Sequence, residues 1–208
     1  MPAEVLRDHI RYGAGGTCFS LTATLLHVIR SLGFAADPVL ADRHYGPNTH
    51  CARLVWIGGE RFLLDPGYLL LEPVPVLDTG EVRIGSGFQQ ILLTRRPGSM
   101  DLCTVDLEKP TRRLTYRTEP AGPEEFLKAW DDSFHWEMME YPLLTRASHG
   151  KQFYLRSNYL QVSGAGRVER KEIPERQLAF RIASEFGISP EITLRALEIL
   201  RQRGGHFG

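Results

Sequence analysis

The spacing of apolar and polar residues predicts helices near both ends of the chain. Between residues 19 and 32 the apolar side chains recur every three or four positions, as in an amphipathic helix, and Gly33 is a natural stop. A second helical segment is predicted over residues 123–130. The tail, residues 175–203, also has a helical pattern, with a break near Gly187.

The middle of the chain carries short apolar segments separated by turn residues, which predicts antiparallel strands. Gly58-Gly59 lies between two such segments and is a strong β-hairpin signal. From residue 74 to about residue 118 the segments are punctuated by Gly, Pro and Asp, as in a curled sheet or barrel. The other predicted strands are residues 34–40, 51–57, 60–65, 153–156 and 159–162. Together with the helices, these strands predict an α+β fold.

Composition and charge indicate an ordinary globular protein. Of the 208 residues, 42% are apolar and 24% are charged, and the formal net charge is zero, so one domain or two small ones are expected. A neutral chain has neither an electrostatic footprint for nucleic acid nor a polybasic membrane anchor. The apolar runs are too short to span a bilayer, and residues 1–5 show no start of a secretory signal. Three cysteines, an odd number without a close pair, favour a reducing compartment, which predicts a cytoplasmic protein.

Cys18, His50 and Asp65 form the strongest chemical pattern in the sequence. Cys18 begins the first predicted helix, where the N-terminal dipole favours thiolate over thiol. His50 precedes one strand of the predicted hairpin and Asp65 closes the other, so these strand ends are expected to lie side by side. An imidazole beside the thiol can accept its proton, and a carboxylate can hold that imidazole in one tautomer. The pattern predicts a Cys-His-Asp nucleophile.

Other interpretations of these residues are weaker. A single cysteine in an apolar helix is usually a core residue, but the conjunction with histidine and aspartate favours catalysis. Zinc binding would need Cys-x-x-Cys or His-x-x-x-His spacing, and Cys51, next to His50 in a strand, would point to the opposite face. No metal site is therefore predicted. The sequence also lacks the Gly-x-Ser-x-Gly elbow of serine hydrolases and the glycine-rich loops that bind nucleotides.

The segments around these residues resemble the arylamine N-acetyltransferase family. Gly15-Gly16-Thr17-Cys18-Phe19 is similar to the family's Arg-Gly-Gly-x-Cys motif, Thr49-His50 matches the position of its histidine, and Asp65-Pro66-Gly67-Tyr68 is similar to its Asp-x-Gly-Phe turn. Weaker segments follow in the family's order, at residues 114–117, 123–130, 154–158 and 185–188. The resemblance covers nearly the whole chain from Gly13 onward.

The resemblance implies an α+β fold of the thiol-protease and transglutaminase class. A helical segment, residues 1–38, would carry the cysteine. An antiparallel β-barrel, residues 39–120, would carry the histidine and the aspartate. An α/β lid, residues 121–208, would complete a single acetyltransferase-like unit.

The resemblance also implies ping-pong acyl transfer from acetyl-CoA, or another acyl thioester, to an amine such as an arylamine. Cys18 would be the nucleophile, His50 the proton shuttle and Asp65 the orienting group, with backbone donors beside the cysteine stabilising the oxyanion. The predicted donor-binding positions are Thr49, Gly67 and Tyr68. The expected partners are small molecules, with no permanently bound cofactor, no nucleic acid and no membrane.

Several positions depart from the family pattern. Ala14 stands where the motif has arginine, Ser20 where Glu or Gln is common, and Leu69 where a second glycine often follows. Only 17 residues precede Cys18, fewer than the family's usual helices need. This short lead predicts an open cleft that admits a bulkier acyl group or an acyl carrier protein and lets water compete with the amine.

Two alternative functions remain at this stage. A thiol amide hydrolase or transglutaminase-like enzyme would use the same triad and differ only in whether water or an amine reaches the acyl-enzyme. A non-catalytic binding protein of this fold is the second alternative, although a scaffold has no need of all three side chains.

Overall fold

The computed structural model describes residues 2–70 and 72–205, which form five α-helices and twelve β-strands. The helices are α1 Pro2–Tyr12, α2 Cys18–Ser31, α3 Pro123–Ser133, α4 Glu175–Phe186 and α5 Pro190–Gln202. The strands are β1 Ala35–Arg43, β2 Gly46–Ile57, β3 Glu60–Leu64, β4 Val74–Pro75, β5 Glu81–Gly85, β6 Gln90–Arg96, β7 Ser99–Asp106, β8 Lys109–Arg117, β9 Leu143–Ser148, β10 Lys151–Arg156, β11 Tyr159–Gly164 and β12 Arg167–Glu172. None of these helices combines the length and the apolar character needed to cross a membrane.

An eight-stranded antiparallel sheet forms the centre of the first of two compact units. This unit comprises residues 2–6, 15–85 and 89–133. Its strands lie in the order β4-β3-β2-β1-β8-β7-β6-β5. Val74 on one edge strand and Val82 on the other belong to the same apolar cluster as Leu54 from the interior of the sheet. The sheet therefore curls around one core, as the predicted barrel requires.

Helix α2 packs against β1 and β2 through the apolar stripe that the sequence predicts. Leu26 and Ile29 contact Ala36 and Val55 in a small buried cluster. Gly33 follows the helix with a φ of +89°, a conformation that favours glycine and turns the chain into β1. The helix also contacts the short 3₁₀ turn that follows β3, so its first turn lies close to the end of the β2–β3 hairpin.

The second compact unit is a four-stranded antiparallel sheet, in the order β12-β11-β10-β9, with helices α4 and α5. It comprises residues 7–14, 86–88 and 134–205. Leu155 from the sheet shares a buried cluster with Leu178 and Leu197 from the two helices. The unit is therefore held together by one apolar layer between sheet and helices.

The break predicted in the helical tail is confirmed. Helix α4 ends before Gly187, whose φ of +75° lies in the left-handed region that favours glycine. Ser189 then caps α5 by accepting a hydrogen bond from the Glu191 amide at 3.3 Å, and Pro190 takes the first helical position, where no amide donor is needed.

Helix α1 and strands β9 and β12 are not predicted from the sequence, and β1 and β2 are longer than predicted; β2 begins at Gly46 and so includes His50. Helix α1 buries none of its residues fully, and all six residues of β12 are exposed. Strand β1 runs past the predicted end at Leu40 because the polar pair Asp42 and Arg43 continues its ladders. The division of the chain at residues 38 and 120 stays a prediction.

Candidate active site

Cys18 occupies the first position of helix α2. Thr17 is the N-cap, and its Oγ1 accepts a hydrogen bond from the Ser20 amide at 3.3 Å. The Ser20 hydroxyl donates to the Thr17 carbonyl at 3.1 Å, whereas Glu or Gln at this position would accept from the amide of the N-cap residue. A Cβ on Gly16 would lie 2.3 Å from Ser20 Oγ, so a larger residue there would displace this hydroxyl. The local sequence thus presents the thiol to the free amides of a helix start.

His50 and Asp65 meet at the end of the predicted hairpin. Strands β2 and β3 pair from Ile57 with Glu60 to Arg53 with Leu64, so the turn is Gly58-Gly59 as predicted. The His50 Nε2–H donates to Asp65 Oδ2 at 2.6 Å, and both side chains are fully buried. This hydrogen bond leaves the other ring nitrogen, Nδ1, for the thiol.

Tyr116 is a further partner of Asp65 that the sequence analysis missed. Its hydroxyl donates to Asp65 Oδ2 at 2.6 Å, while the Tyr68 amide donates to Asp65 Oδ1 at 2.9 Å. Tyr116 on β8 pairs with Ala41 on β1, which pairs with His50 on β2. The small Ala41 side chain between them leaves room for the phenol to reach the carboxylate. The alignment of Tyr116, Ala41 and His50 across the sheet depends on the register of three strands, which the sequence pattern does not give.

Gly67 lies where the three predicted residues converge. A Cβ at this position would lie 3.2 Å from Cys18 Cβ, 3.2 Å from Asp65 Oδ1 and 3.3 Å from His50 Cε1. The charge of His50 lowers the pKa of Cys18, and the charge of Cys18 raises the pKa of His50. The structure therefore brings Cys18, His50 and Asp65 together around one glycine.

The charges of these groups stabilise one another. A hydrogen bond from Cys51 and the charge of His50 hold the pKa of the Cys18 thiol well below its usual range, although burial raises it. Burial lowers the pKa of His50, but the charges of Asp65 and Cys18 outweigh it and raise this pKa to about 9. Burial raises the pKa of Asp65, but the charge of His50 and the hydrogen bonds to the carboxylate lower it. These interactions favour a thiolate–imidazolium pair beside a carboxylate.

The predicted donor-binding residues lie beside this group. Gly67 and Tyr68 form the turn after Asp65, and the Tyr68 ring stands edge-on to His50 with 6.4 Å between ring centroids. The Thr49 hydroxyl donates to the Gly46 carbonyl at 2.9 Å and accepts from the Arg43 amide at 3.1 Å, so it fastens the β1–β2 turn. The predicted contact of all three with an acyl donor stays a prediction.

Leu69 takes the backbone conformation that glycine would adopt at this turn. Its φ is +61°, in the left-handed region. A residue with a branched side chain held there costs on the order of 1 kcal/mol relative to glycine. The departure from the family pattern at Leu69 therefore changes the residue but keeps the shape of the turn.

Arg43 lies on the Nδ1 side of His50. Its Nη2 is 3.4 Å from that nitrogen, and its Nε is buried with no hydrogen-bond partner among the described residues.

The described part of the chain holds no group of three or more His, Cys, Asp or Glu side chains placed to bind a metal ion.

Comparison of the sequence with models of protein families and with curated proteins finds no match, but several solved structures are similar. The arylamine N-acetyltransferase from Mycobacterium abscessus has a TM-score of 0.82 at 20% identity, over 96% of this chain and 77% of that one. The enzyme from Mycobacterium marinum, solved in complex with CoA, has a TM-score of 0.79 at 17% identity, over 92% of this chain and 76% of that one. The enzyme from Bacillus cereus, described with a Cys-His-Glu triad, has a TM-score of 0.75 at 19% identity, over 91% of this chain and 79% of that one.

Identities this low establish likeness of fold rather than of activity. The similarity extends over more than nine tenths of the chain in each of these comparisons. The chain has the fold of these arylamine N-acetyltransferases, an α+β fold as its sequence predicts.

Proposed function

We propose that the protein is an acyltransferase that moves an acetyl or other acyl group from a thioester, such as acetyl-CoA, through Cys18 to an amine such as an arylamine. The observation that carries this proposal is the convergence of Cys18, at a helix N-terminus, with the buried His50–Asp65 pair around Gly67. Cys18 is only partly buried, whereas its two partners are fully buried. This difference in burial supports a nucleophile that a substrate approaches and an ion pair that is shielded from water.

The first half-reaction would form an acetyl-cysteine. The Cys18 thiolate attacks the thioester carbonyl, and the new C–S bond forms as the bond to the CoA sulfur breaks. The imidazolium of His50 gives its proton to the departing CoA thiolate. Amides at the start of α2 are placed to stabilise the oxyanion of the tetrahedral intermediate.

The second half-reaction would return the site to its starting state. The amine nitrogen attacks the acetyl carbonyl, neutral His50 takes a proton from that nitrogen, and the bond to Cys18 breaks to release thiolate and amide. Asp65 keeps the proton on Nε2, so Nδ1 is the nitrogen that exchanges protons with the substrates.

The donor assignment draws on the similar structure from Mycobacterium marinum that contains CoA. Thr49, Gly67 and Tyr68 are the proposed donor-binding residues, because they lie on the two turns that flank His50. An acyl carrier protein is a second proposed donor. All three cysteines are free thiols, which supports the proposal that the protein works in a reducing compartment, the cytoplasm.

The proposal is tested by incubating the protein with acetyl-CoA, with and without an aromatic amine. Without amine, we expect one acetyl group per chain, on the tryptic peptide that carries Cys18; cleavage at arginines places Cys51 and Cys103 on other peptides. Adding amine should discharge the adduct, yield acetylated amine and sustain CoA release. CoA release at the same rate without amine would instead show a hydrolase, and no adduct with any acyl thioester would overturn acyl transfer.

Replacing Gly67 by alanine should slow transfer about tenfold or more with little loss of stability. The added methyl group would press on Cys18, Asp65 and His50 at once, and small displacements of reacting groups cost large factors in rate. The measurements are amine-dependent CoA release and the thermal midpoint. Gly85→Ala is the matched control, since a Cβ there meets nothing within 4 Å. Equal activity of the two variants would show that the site tolerates the extra atom.

A further inference from the structure

Arg43 ends strand β1 on the side of the sheet that carries His50. Ala41 pairs with His50 across β1 and β2, and alternate residues of a strand share a face, so Arg43 follows Ala41 on the face of the site. The register of the two strands shifts between Ala41 and Arg43, an irregularity of the kind that re-aims side chains beside active sites. The Thr49 hydroxyl accepts a hydrogen bond from the Arg43 amide at 3.1 Å. The end of the strand therefore fixes the backbone from which the Arg43 side chain reaches His50.

The guanidinium of Arg43 is a half-buried cation without an anionic partner. Its Nη2 is 3.4 Å from His50 Nδ1, and its Nε is buried with no hydrogen-bond partner among the described residues. None of the ion pairs within residues 2–70 and 72–205 includes Arg43. The adjacent carboxylate, Asp42, accepts a hydrogen bond from the Asn48 amide at 2.8 Å. Because burying a cation without an anion costs free energy, this placement of Arg43 does not stabilise the fold.

The contact between Arg43 and His50 depends on the protonation of the imidazole. Neutral His50, with its proton on Nε2, can accept a hydrogen bond from Arg43 at Nδ1. The imidazolium carries a proton on Nδ1 as well, so two cations then face each other and both are donors. Two donor nitrogens at this separation can share one carboxylate. The protonated site therefore offers a place for a negatively charged group.

The charges of the site also leave one cation in excess. Ionised Cys18 and Asp65 are two negative charges, and protonated His50 and Arg53 are two positive charges. Arg53 is fully buried; burial lowers its pKa, and the charge of Asp65 raises it, so these two charges interact. Arg43 is then the positive charge that no group of the site neutralises, and a substrate anion would neutralise it.

We propose that Arg43 is a specificity-determining residue that binds a substrate carboxylate close to the reacting atom. The proposal rests on the proposed function, in which His50 Nδ1 exchanges protons with the substrates and Cys18 carries the acyl group. Because Arg43 Nη2 lies next to Nδ1, the carboxylate must be within a few bonds of the reacting atom. An acceptor such as 2-aminobenzoate, or an acyl group such as malonyl, has this spacing. In 4-aminobenzoate the carboxylate lies across the ring from the amine.

The first test compares alkylation of Cys18 by iodoacetate and by iodoacetamide, followed on its tryptic peptide, which needs no acyl transfer. Iodoacetate has a carboxylate next to the reacting carbon and iodoacetamide a neutral amide, and the ratio of the two rates does not depend on how much of the thiol is ionised. In Arg43→Gln this ratio should fall about tenfold or more, the effect of losing a charge-assisted hydrogen bond. Arg43→Met keeps the unbranched stem and should give the same fall, so it decides the test if Arg43→Gln does not fold. Arg83→Gln, which removes an exposed partner of Glu108, is the matched control and should leave the ratio unchanged.

Two pairs of substrates then distinguish the sources of the carboxylate, each expressed as a ratio of kcat/KM values in the same protein. With acetyl-CoA as donor, 2-aminobenzoate is compared with its neutral methyl ester. With aniline as acceptor, malonyl-CoA is compared with isovaleryl-CoA, whose acyl group has the same shape without the charge. Arg43→Gln should lower the first ratio about tenfold if the acceptor carries the carboxylate, and the second if the acyl group carries it.

The ratio for 4-aminobenzoate and its methyl ester should not change in Arg43→Gln. A fall there as large as for 2-aminobenzoate would overturn the proposal, because a general positive field and not a contact would be the cause. An unchanged alkylation ratio, or unchanged ratios for both substrate pairs in an active enzyme, would also overturn it. A fall in the alkylation ratio without turnover of any substrate pair would contradict acyl transfer but support a carboxylate site at Arg43.

Discussion

Replacing Cys18 by alanine is expected to abolish acyl transfer, with a loss on the order of 10⁶-fold where background rates allow it to be measured, as for removal of a nucleophile from a comparable triad. The remaining groups can orient a substrate, but no atom is left to accept the acyl group. The measurements are amine-dependent CoA release and the mass of the protein after exposure to acetyl-CoA. Both the turnover and the adduct should disappear together.

Two observations make the Cys18 result specific. Cys103→Ala, which removes a half-buried thiol on β7, should keep both turnover and adduct. The Cys18→Ala protein should unfold at a temperature close to that of the wild type, since the site keeps its apolar packing and loses one partly exposed thiol. An adduct that persists in Cys18→Ala would move the nucleophile to another residue.

Replacing Asp65 by asparagine is the second large effect, an expected loss of about 10⁴-fold in turnover, as for the same change in a related triad. Asp65 accepts from donors on both sides, from the Tyr68 amide at Oδ1 and from His50 and Tyr116 at Oδ2. An asparagine has one oxygen. If the Tyr68 amide keeps it, the side-chain NH₂ faces His50 Nε2 and forces the proton onto Nδ1, the nitrogen that must accept it from the substrate.

The Asp65→Asn change should also alter the pH dependence of turnover. Burial lowers the pKa of His50, but the charges of Asp65 and Cys18 raise it to about 9, so wild-type turnover should fall as the pH rises through about 9 and the imidazolium is lost. Removing the carboxylate charge lowers the pKa of His50, so this alkaline limb should move to lower pH. The measurement is kcat/KM with an aryl ester over a wide pH range.

Tyr116→Phe is the matched comparison for Asp65→Asn. It removes one hydrogen bond from Asp65 Oδ2 but leaves the charge and the His50 contact, so the loss should be about tenfold rather than thousands-fold. An alkaline limb that stays in place in Asp65→Asn would show that another group sets the ionisation of His50. Near-normal turnover would show that the imidazole is oriented without the carboxylate.

Local sequence patterns specify the parts of this protein that depend on neighbours along the chain. The apolar stripe of α2, the Gly58-Gly59 hairpin and the break at Gly187 are local patterns, because a helix or a two-residue turn is specified by residues within a few positions. The meeting of His50 with Asp65 follows from the same hairpin, since both residues lie at its open end. The placement of Cys18 beside His50 and Asp65 is predicted from the chemistry of such triads and from the family motif, not from a local pattern.

Strand order and helix packing determine which other side chains join the site. Tyr116 reaches Asp65 through the register of β8, β1 and β2, and Cys51 reaches Thr22 because α2 packs on β2. These contacts join residues far apart in sequence and depend on strand order and helix packing, which no local pattern encodes. Arg53 is 1% exposed in the structure, a burial that its charge does not indicate in the sequence.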